Sequence, residues 1–264
     1  MSESMKTVGV GRTVGYLFLL VVAMTLGDVL AMVALPAGTD TSIRTLVSIL
    51  VAWPPVLVLV AKRADGWAPG TVFKAKRARA ATLTGALLAG MGLSLTILVL
   101  VSHLPGPSPD SAVQFNESLA EGSRIPLWIA MLLVAPLVEE LFFRGWMLPV
   151  WERRFGRWGA ILGTALLFAL LHLLWWRILI TLPLGVLFGW VFVRTRSVLA
   201  AVAAHAGANA APMVADGLLQ AAGYSPVQVE AMASLPWWTA VSAGGAFLLG
   251  VRSLLRPSDD SLPR

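Results

Sequence analysis

Residues 126–146 read PLWIAMLLVAPLVEELFFRGW, an apolar run that nevertheless carries two glutamates and an arginine. About 20 consecutive apolar residues in an α-helix span the hydrocarbon core of a bilayer. A charged residue at the centre of such a helix costs at least about 2.5 kcal/mol on insertion scales. The run therefore predicts a transmembrane helix whose polar residues are retained for a function.

The rest of the chain has the same apolar character. Of its 264 residues, 57% are hydrophobic and 13% are charged, whereas about 25% are charged in a typical soluble domain. No soluble domain fits between the apolar runs, so we expect one integral membrane domain over residues 1–264, with a motif-bearing core at about 126–217. The sequence predicts an all-α bundle of about eight transmembrane helices. The predicted spans are Thr13–Pro36, Ser42–Ala61, Ala81–Ser102, Pro126–Trp151, Trp158–Trp176, Ile178–Val193, Val198–Gly217 and Leu235–Val251.

The 20 lysines and arginines are distributed unevenly between the two sides of the predicted bundle. Three of them, Arg44, Arg124 and Arg177, lie on one side, and Arg144 lies within a span. The others lie on the opposite side: Lys6, Arg12, Lys62, Arg63, Lys74, Lys76, Arg77, Arg79, Arg153, Arg154, Arg157, Arg194, Arg196, Arg252, Arg256 and Arg264. Because cytoplasmic loops are enriched in Lys and Arg, we expect both termini to be cytoplasmic. The net charge of +6 then reflects topology and contact with anionic membrane lipid, and not a nucleic-acid partner.

Several polar residues lie inside the predicted spans. They are Glu139, Glu140 and Arg144 in the fourth span, His172 in the fifth, His205 and Asn209 in the seventh, and an isolated Asp28 in the first. Glu140 and Arg144 are four residues apart, so they share a helix face and can form an ion pair. Glu139 lies about 100° away around the helix and is left for chemistry.

The depth of these residues indicates which of them can meet. Counted from the predicted cytoplasmic ends, Glu139 and His172 both lie roughly 20 Å deep, so they can face each other. His205 follows Val198 so closely that it lies at about half that depth. A tilted or partly unwound seventh span, or a different helix boundary, would have to bring His205 to the others.

The chemistry of these groups indicates hydrolysis. A glutamate and a histidine that converge on one water form a general-base pair. A second histidine with an asparagine supplies hydrogen-bond donors, which suit an oxyanion hole for amide hydrolysis. The cluster contains no covalent nucleophile, and the chain has no cysteine. Water-mediated peptide hydrolysis inside the membrane is the interpretation that uses every member of the cluster.

At these residues the chain resembles the CPBP family, which includes CAAX prenyl endopeptidases and related bacterial intramembrane proteases. Glu139 to Arg144 fits EExxxR, Phe168 to His172 fits FxxxH, and His205 to Asn209 fits HxxxN, in the family's order. The resemblance implies a glutamate-dependent intramembrane endopeptidase. In it, Glu139 and His172 would activate water, His205 and Asn209 would bind the oxyanion, and Glu140, Arg144 and Phe168 would support them.

The resemblance leaves the cofactor and the substrate open. The family was once regarded as zinc-dependent, and Glu139, His172 and His205 would be the metal ligands in that mechanism. The chain contains no HExxH motif, and we expect no cofactor. The expected partners are membrane lipid and a membrane-associated or C-terminally anchored protein or peptide substrate. The compact chain is typical of the bacterial members, so we expect the inner membrane and not a CAAX substrate in particular.

Two other classes of protein fit part of the pattern. A proton-coupled transporter would use Asp28, Glu139, Glu140 and His172 as a relay, but the chain lacks the paired broken-helix repeats of such carriers. A non-catalytic bacteriocin-immunity or scaffold protein would keep the motifs for structure alone, and its phenotype would survive Glu139→Gln. The sequence does not predict the oligomeric state.

Overall fold

The computed structural model describes residues 10–63, 78–102, 124–221 and 237–255, and these segments are helical apart from short turns, with no strand among them. The helices are α1 (Val10–Ala34), α2 (Thr41–Arg63), α3 (Ala80–Ser102), α4 (Arg124–Trp128), π1 (Ile129–Val134), α5 (Ala135–Glu140), π2 (Leu141–Met147), α6 (Leu148–Leu170), α7 (Trp175–Thr195), α8 (Val198–Ala221) and α9 (Trp237–Leu255). The predicted all-α class is confirmed.

Six stretches of the described chain are long and apolar enough to cross a membrane. They are Gly11–Ala34, Thr41–Lys62, Ala80–Val101, Ile125–Leu170, Trp175–Thr195 and Val198–Ala215, and a shorter apolar helix covers Val241–Leu255. The predicted count of about eight spans is approximate. The 46-residue stretch Ile125–Leu170 contains the predicted fourth span and most of the fifth, and the non-helical Gly156 lies between them, with a φ of 71° that is readily available only to glycine.

The predicted boundary between the fifth and sixth spans, at Arg177, is wrong. Helix α6 ends at Leu170 and α7 begins at Trp175, so Arg177 lies in the first turn of α7. In the connecting turn Leu173 has a φ of 59°, and the Leu174 N–H donates to the His172 carbonyl oxygen over 2.6 Å. A leucine with positive φ is rare, and neither glycine nor proline marks this turn in the sequence.

The helical run that carries the two glutamates alternates between α and π geometry. The single turn and a half of α5, which ends at Glu140, lies between π1 and π2. A π-helix closes its hydrogen bonds five residues apart and is frequent at functional sites. Because each π turn holds more residues than an α turn, side chains beyond it point away from where an α-helix would place them.

Helix α3 packs against α8 with the two backbones in contact. A Cβ atom built on Gly90 would lie 1.8 Å from the carbonyl oxygen of Ala204, and one built on Gly207 would lie 2.2 Å from the carbonyl oxygen of Leu87. Small residues permit this approach of helices in membranes. Ala204 and Gly207 flank His205 in sequence, so α3 fixes the height and rotation of the helix that carries His205.

An ion pair links the turn before α8 to α6. Arg196, in the turn between α7 and α8, donates to both carboxylate oxygens of Glu152 over 2.6 and 2.8 Å. These hydrogen bonds raise the pKa of Arg196 above its ordinary value. Residue Arg196 has a φ of 54°, which ends α7 in the left-handed conformation. The long arginine side chain spans the distance from the start of α8 to α6.

Candidate active site

Glu140 and Arg144 form the ion pair that their spacing predicts. The Arg144 Nη1 atom donates to Glu140 Oε1 over 2.9 Å, and both side chains are fully buried. The Nη2 atom of Arg144 donates to the carbonyl oxygen of Gly185 on α7 over 2.8 Å. Since a buried ion pair needs further hydrogen bonds to offset its desolvation, the Gly185 carbonyl stabilises Arg144 and links π2 to α7.

His205 lies between the two glutamates. Its Nδ1 atom is 2.9 Å from Glu140 Oε1, and its Nε2 atom is 3.8 Å from Glu139 Oε2. The depth mismatch expected from the sequence is therefore absent, because at this distance His205 lies level with Glu139. Whereas the sequence paired Glu139 with His172, the structure places His205 beside Glu139.

His172 lies in the turn after α6 and not within a transmembrane helix as predicted. Its Nδ1 atom is 3.1 Å from the carbonyl oxygen of Phe168. Within the described residues, His172 does not come within ion-pair distance of either glutamate. It belongs to the same cluster through Phe168, whose ring centroid lies 5.1 Å from that of His172 and 5.7 Å from that of His205.

Asn209 connects α8 to π1. Its Nδ2 atom donates to the carbonyl oxygen of Met131 over 2.8 Å. Asn209 lies one turn after His205 and shares its helix face. An amide nitrogen carries two hydrogens, so one N–H remains for a second acceptor.

The side chains of Glu139 and Glu140 differ in their solvent exposure. The side chain of Glu139 is 20% exposed, whereas that of Glu140 is fully buried. His172 and Asn209 are also partly exposed, whereas Arg144 and His205 are buried. Among the site residues, Glu139, His172 and Asn209 are therefore the most exposed. Asp28 is not part of this cluster: it lies on α1 and accepts a hydrogen bond from Ser48.

The structure also contains site residues that sequence reasoning missed. Phe188 on α7 stacks on His205 with a centroid distance of 4.7 Å and an interplanar angle of 17°. The guanidinium carbon of Arg144 lies 5.1 Å from the Phe168 ring centroid and 5.4 Å from the Phe188 ring centroid. A phenylalanine or a glycine in an apolar span gives no sequence signal, so neither Phe188 nor Gly185 could be singled out.

The residues of the metal alternative do not fit a metal ion. In the part of the chain that the structure describes, no three His, Asp or Glu side chains form a group that could hold one, and this includes Glu139, His172 and His205. We therefore derive no chemical step through a metal.

The fold and site together define an integral membrane protein with a carboxylate–histidine centre inside the helical bundle. Residues 121–211, about a third of the chain, match the family described as type II CAAX prenyl endopeptidase Rce1-like. The match includes all three motifs, confirms the resemblance to CPBP intramembrane proteases, and supports a CAAX-type protease at the family level. Comparisons with curated proteins and with solved structures gave no significant match.

Proposed function

We propose that this protein is an intramembrane endopeptidase in which Glu139 and His172 activate a water molecule, while His205 and Asn209 bind the oxyanion. The observation that carries the proposal is the hydrogen bonding of the two histidines. Each has its Nδ1 atom engaged by a different kind of partner, a carbonyl oxygen for His172 and a carboxylate for His205. The surroundings of their Nε2 atoms also differ, because that of His205 lies 3.8 Å from Glu139 Oε2 whereas His172 has no glutamate within ion-pair distance among the described residues.

His172 is suited to accept a hydrogen bond from water. The Phe168 carbonyl oxygen can only accept, so Nδ1 of His172 carries a hydrogen. In the neutral imidazole, Nε2 then carries the lone pair. With the partly exposed carboxylate of Glu139, this nitrogen supplies a second acceptor that can orient an attacking water and withdraw its proton.

His205 is suited to donate a hydrogen bond to the oxyanion. Both of its ring nitrogens face carboxylate oxygens, Nδ1 at 2.9 Å from Glu140 Oε1 and Nε2 at 3.8 Å from Glu139 Oε2. Ionised carboxylates can only accept hydrogen bonds, so these contacts favour hydrogens on the ring nitrogens. An Nε2–H is the donor that an oxyanion needs, and the second N–H of Asn209 lies on the same helix face.

The reaction then needs no covalent intermediate. Glu139 takes a proton from the water while the oxygen of that water bonds to the scissile carbonyl carbon. The carbonyl oxygen becomes the oxyanion and is stabilised by His205 and Asn209. When the C–N bond breaks, the proton held by Glu139 passes to the leaving amine. Glu140 and Arg144 hold the donors in place, and the free carboxylate and amine leave.

The substrate class follows from where the site lies. The cluster is inside a membrane-spanning bundle, so the scissile bond belongs to a membrane-associated or C-terminally anchored protein. The concentration of Lys and Arg in the loops of one face orients the termini to the cytoplasm, and we place the protein in a bacterial inner membrane. The alternative is a non-catalytic membrane protein with the same fold, and the experiment must distinguish it from an endopeptidase.

The test is a comparison of protein termini in membranes from cells that express the wild type, Glu139→Ala or Asp28→Ala at matched levels. Asp28 lies outside the cluster, on α1, where it accepts a hydrogen bond from Ser48, so its variant controls for the loss of a carboxylate within a span. Precursors that accumulate only with Glu139→Ala, and that the purified wild type cleaves at the same bond, would support the proposal. Identical termini in all three membranes, under several growth conditions and with folded protein present, would indicate the non-catalytic alternative.

A further inference from the structure

We infer that Phe188 is a positioning residue for His205, which it holds in the orientation that oxyanion binding requires; this inference rests on the proposed function. Phe188 belongs to none of the three motifs. It lies on α7, whereas the motif residues lie on π2, α5, α6, the turn after α6, and α8. Its side chain is 1% exposed, so it acts within the protein and does not touch lipid.

One hydrogen bond does not fix the plane of an imidazole ring. The bond from Nδ1 of His205 to Glu140 sets the position of one atom, and the ring can still turn about that bond. Phe188 removes this freedom because its ring lies nearly parallel to His205, with the centroids 4.7 Å apart. The edge contact of Phe168, at 86° to His205, limits the ring from a second direction. The two phenylalanines thus direct Nε2 of His205 toward Glu139.

Phe188 can perform this task because it is itself fixed. Its ring lies 5.4 Å from the Arg144 guanidinium carbon and 6.3 Å from the Phe168 centroid. One turn earlier on α7, the carbonyl oxygen of Gly185 accepts a hydrogen bond from Arg144. The next residue, Gly189, lets α7 approach α6, since a Cβ atom there would lie 3.3 Å from Ile161. One helix therefore holds both the arginine and the histidine.

The test compares Phe188→Met with Phe142→Met in the purified full-length protein. Methionine has nearly the volume of phenylalanine but no ring, and Phe142 is an equally buried phenylalanine that packs on Trp53, Phe143 and Trp146. The chain has three histidines, so NMR of the protein with ¹⁵N-labelled imidazoles can resolve His205, assigned with a His205→Gln sample. Kinetics on the cleaved substrate give kcat and KM separately.

With Phe188→Met we expect the His205 signals to lose the ring-current shift that Phe188 contributes, while the contribution of Phe168 remains, and its nitrogen signals to broaden. The kcat should fall about 10- to 100-fold, as expected for a misplaced catalytic group, with KM changed less than about twofold. Phe188→Tyr, which keeps the ring, should retain most of the wild-type ring-current shift of His205 and most of the wild-type kcat. Phe142→Met should leave the His205 signals and kcat close to wild type.

Unchanged His205 signals in Phe188→Met, or an equal loss of kcat in both methionine variants, would overturn the inference. The NMR readout needs no substrate, so it tests the position of Phe188 even if the wild type cleaves nothing, a result that would refute the proposed function alone. Should Phe188→Met not fold, Phe188→Leu is measured in the same way.

Discussion

One carboxylate oxygen, Oε1 of Glu140, lies 2.9 Å from Nη1 of Arg144 and 2.9 Å from Nδ1 of His205. It therefore joins two basic side chains, one a turn away on the same helical run and the other 65 residues along the chain on α8. Glu140 is an orienting group in this arrangement, and Glu139, on the exposed side, is left for the substrate. The two adjacent glutamates should consequently respond differently to the same substitution.

Replacement of Glu140 by glutamine should affect both stability and activity. Glu140→Gln leaves the Arg144 charge buried without its counterion, and breaking a buried pair in this way costs about 3–5 kcal/mol. It also weakens the bond that orients His205. We expect a large fall in the thermal unfolding temperature in detergent, together with reduced cleavage. Unchanged unfolding would contradict the structural role of Glu140.

Replacement of Glu139 should affect activity alone. Glu139→Gln keeps the shape of the side chain but removes the proton acceptor, and general acid–base groups contribute about 10²- to 10⁴-fold in rate. We expect kcat to fall within that range while the unfolding temperature stays close to wild type. If Glu139→Gln retains full activity and Glu140→Gln alone abolishes it, the division of roles within the pair is wrong.

Asn209 should contribute through transition-state binding. Asn209→Ala removes a donor of the proposed oxyanion hole, and loss of one such donor costs about 10²- to 10³-fold in kcat. We expect KM to change little, because the donor acts on charge that develops only during the reaction. Thr164→Ala serves as the control, since the Thr164 hydroxyl is buried but bonds only to carbonyl groups of its own helix. Equal kcat values in the two variants would argue against the oxyanion role.

The contact between α3 and α8 should tolerate no side chain. Gly90→Ala places a methyl group 1.8 Å from a backbone oxygen that cannot rotate away, and overpacking of this kind costs about 1–3 kcal/mol or more. We expect a lower unfolding temperature and, since α8 carries His205 and Asn209, lower activity. Gly244→Ala on α9 meets no atom within 4 Å and should leave both quantities near wild type.

The sequence was sufficient where a local spacing determines the geometry. The four-residue interval between Glu140 and Arg144 predicts their ion pair, and the interval between His205 and Asn209 predicts their common face. The apolar runs predict most of the helices. These features depend only on the α-helical repeat and on the cost of burying charge in lipid, so a single chain contains all the information that they require.

The sequence was insufficient where the backbone leaves the α-helical repeat. The π1 and π2 segments have no apolar periodicity of their own within one span, so no sequence pattern indicates them. The depth of His205 relative to Glu139 depends on how α8 packs against the other helices, which a count of residues along one helix does not give. The turn at Leu173 lacks glycine and proline, so His172 was assigned to a helix. Contacts between distant helices, such as Phe188 with His205, depend on packing that no local pattern reports.

The partners of Arg144 have a consequence for the order in which the chain enters the membrane. Its acceptor at Gly185 is synthesised 41 residues later, and the histidine that shares Glu140 is synthesised later still. A nascent helix with these charges has only its internal ion pair when it first meets the translocon. We expect it to remain beside the translocon until α7 and α8 emerge, so that ribosome-stalled chains in which these helices have not emerged cross-link to the translocon and chains in which both have emerged do not. Absence of cross-linking at every chain length would show that the nascent helix enters lipid without α7 and α8.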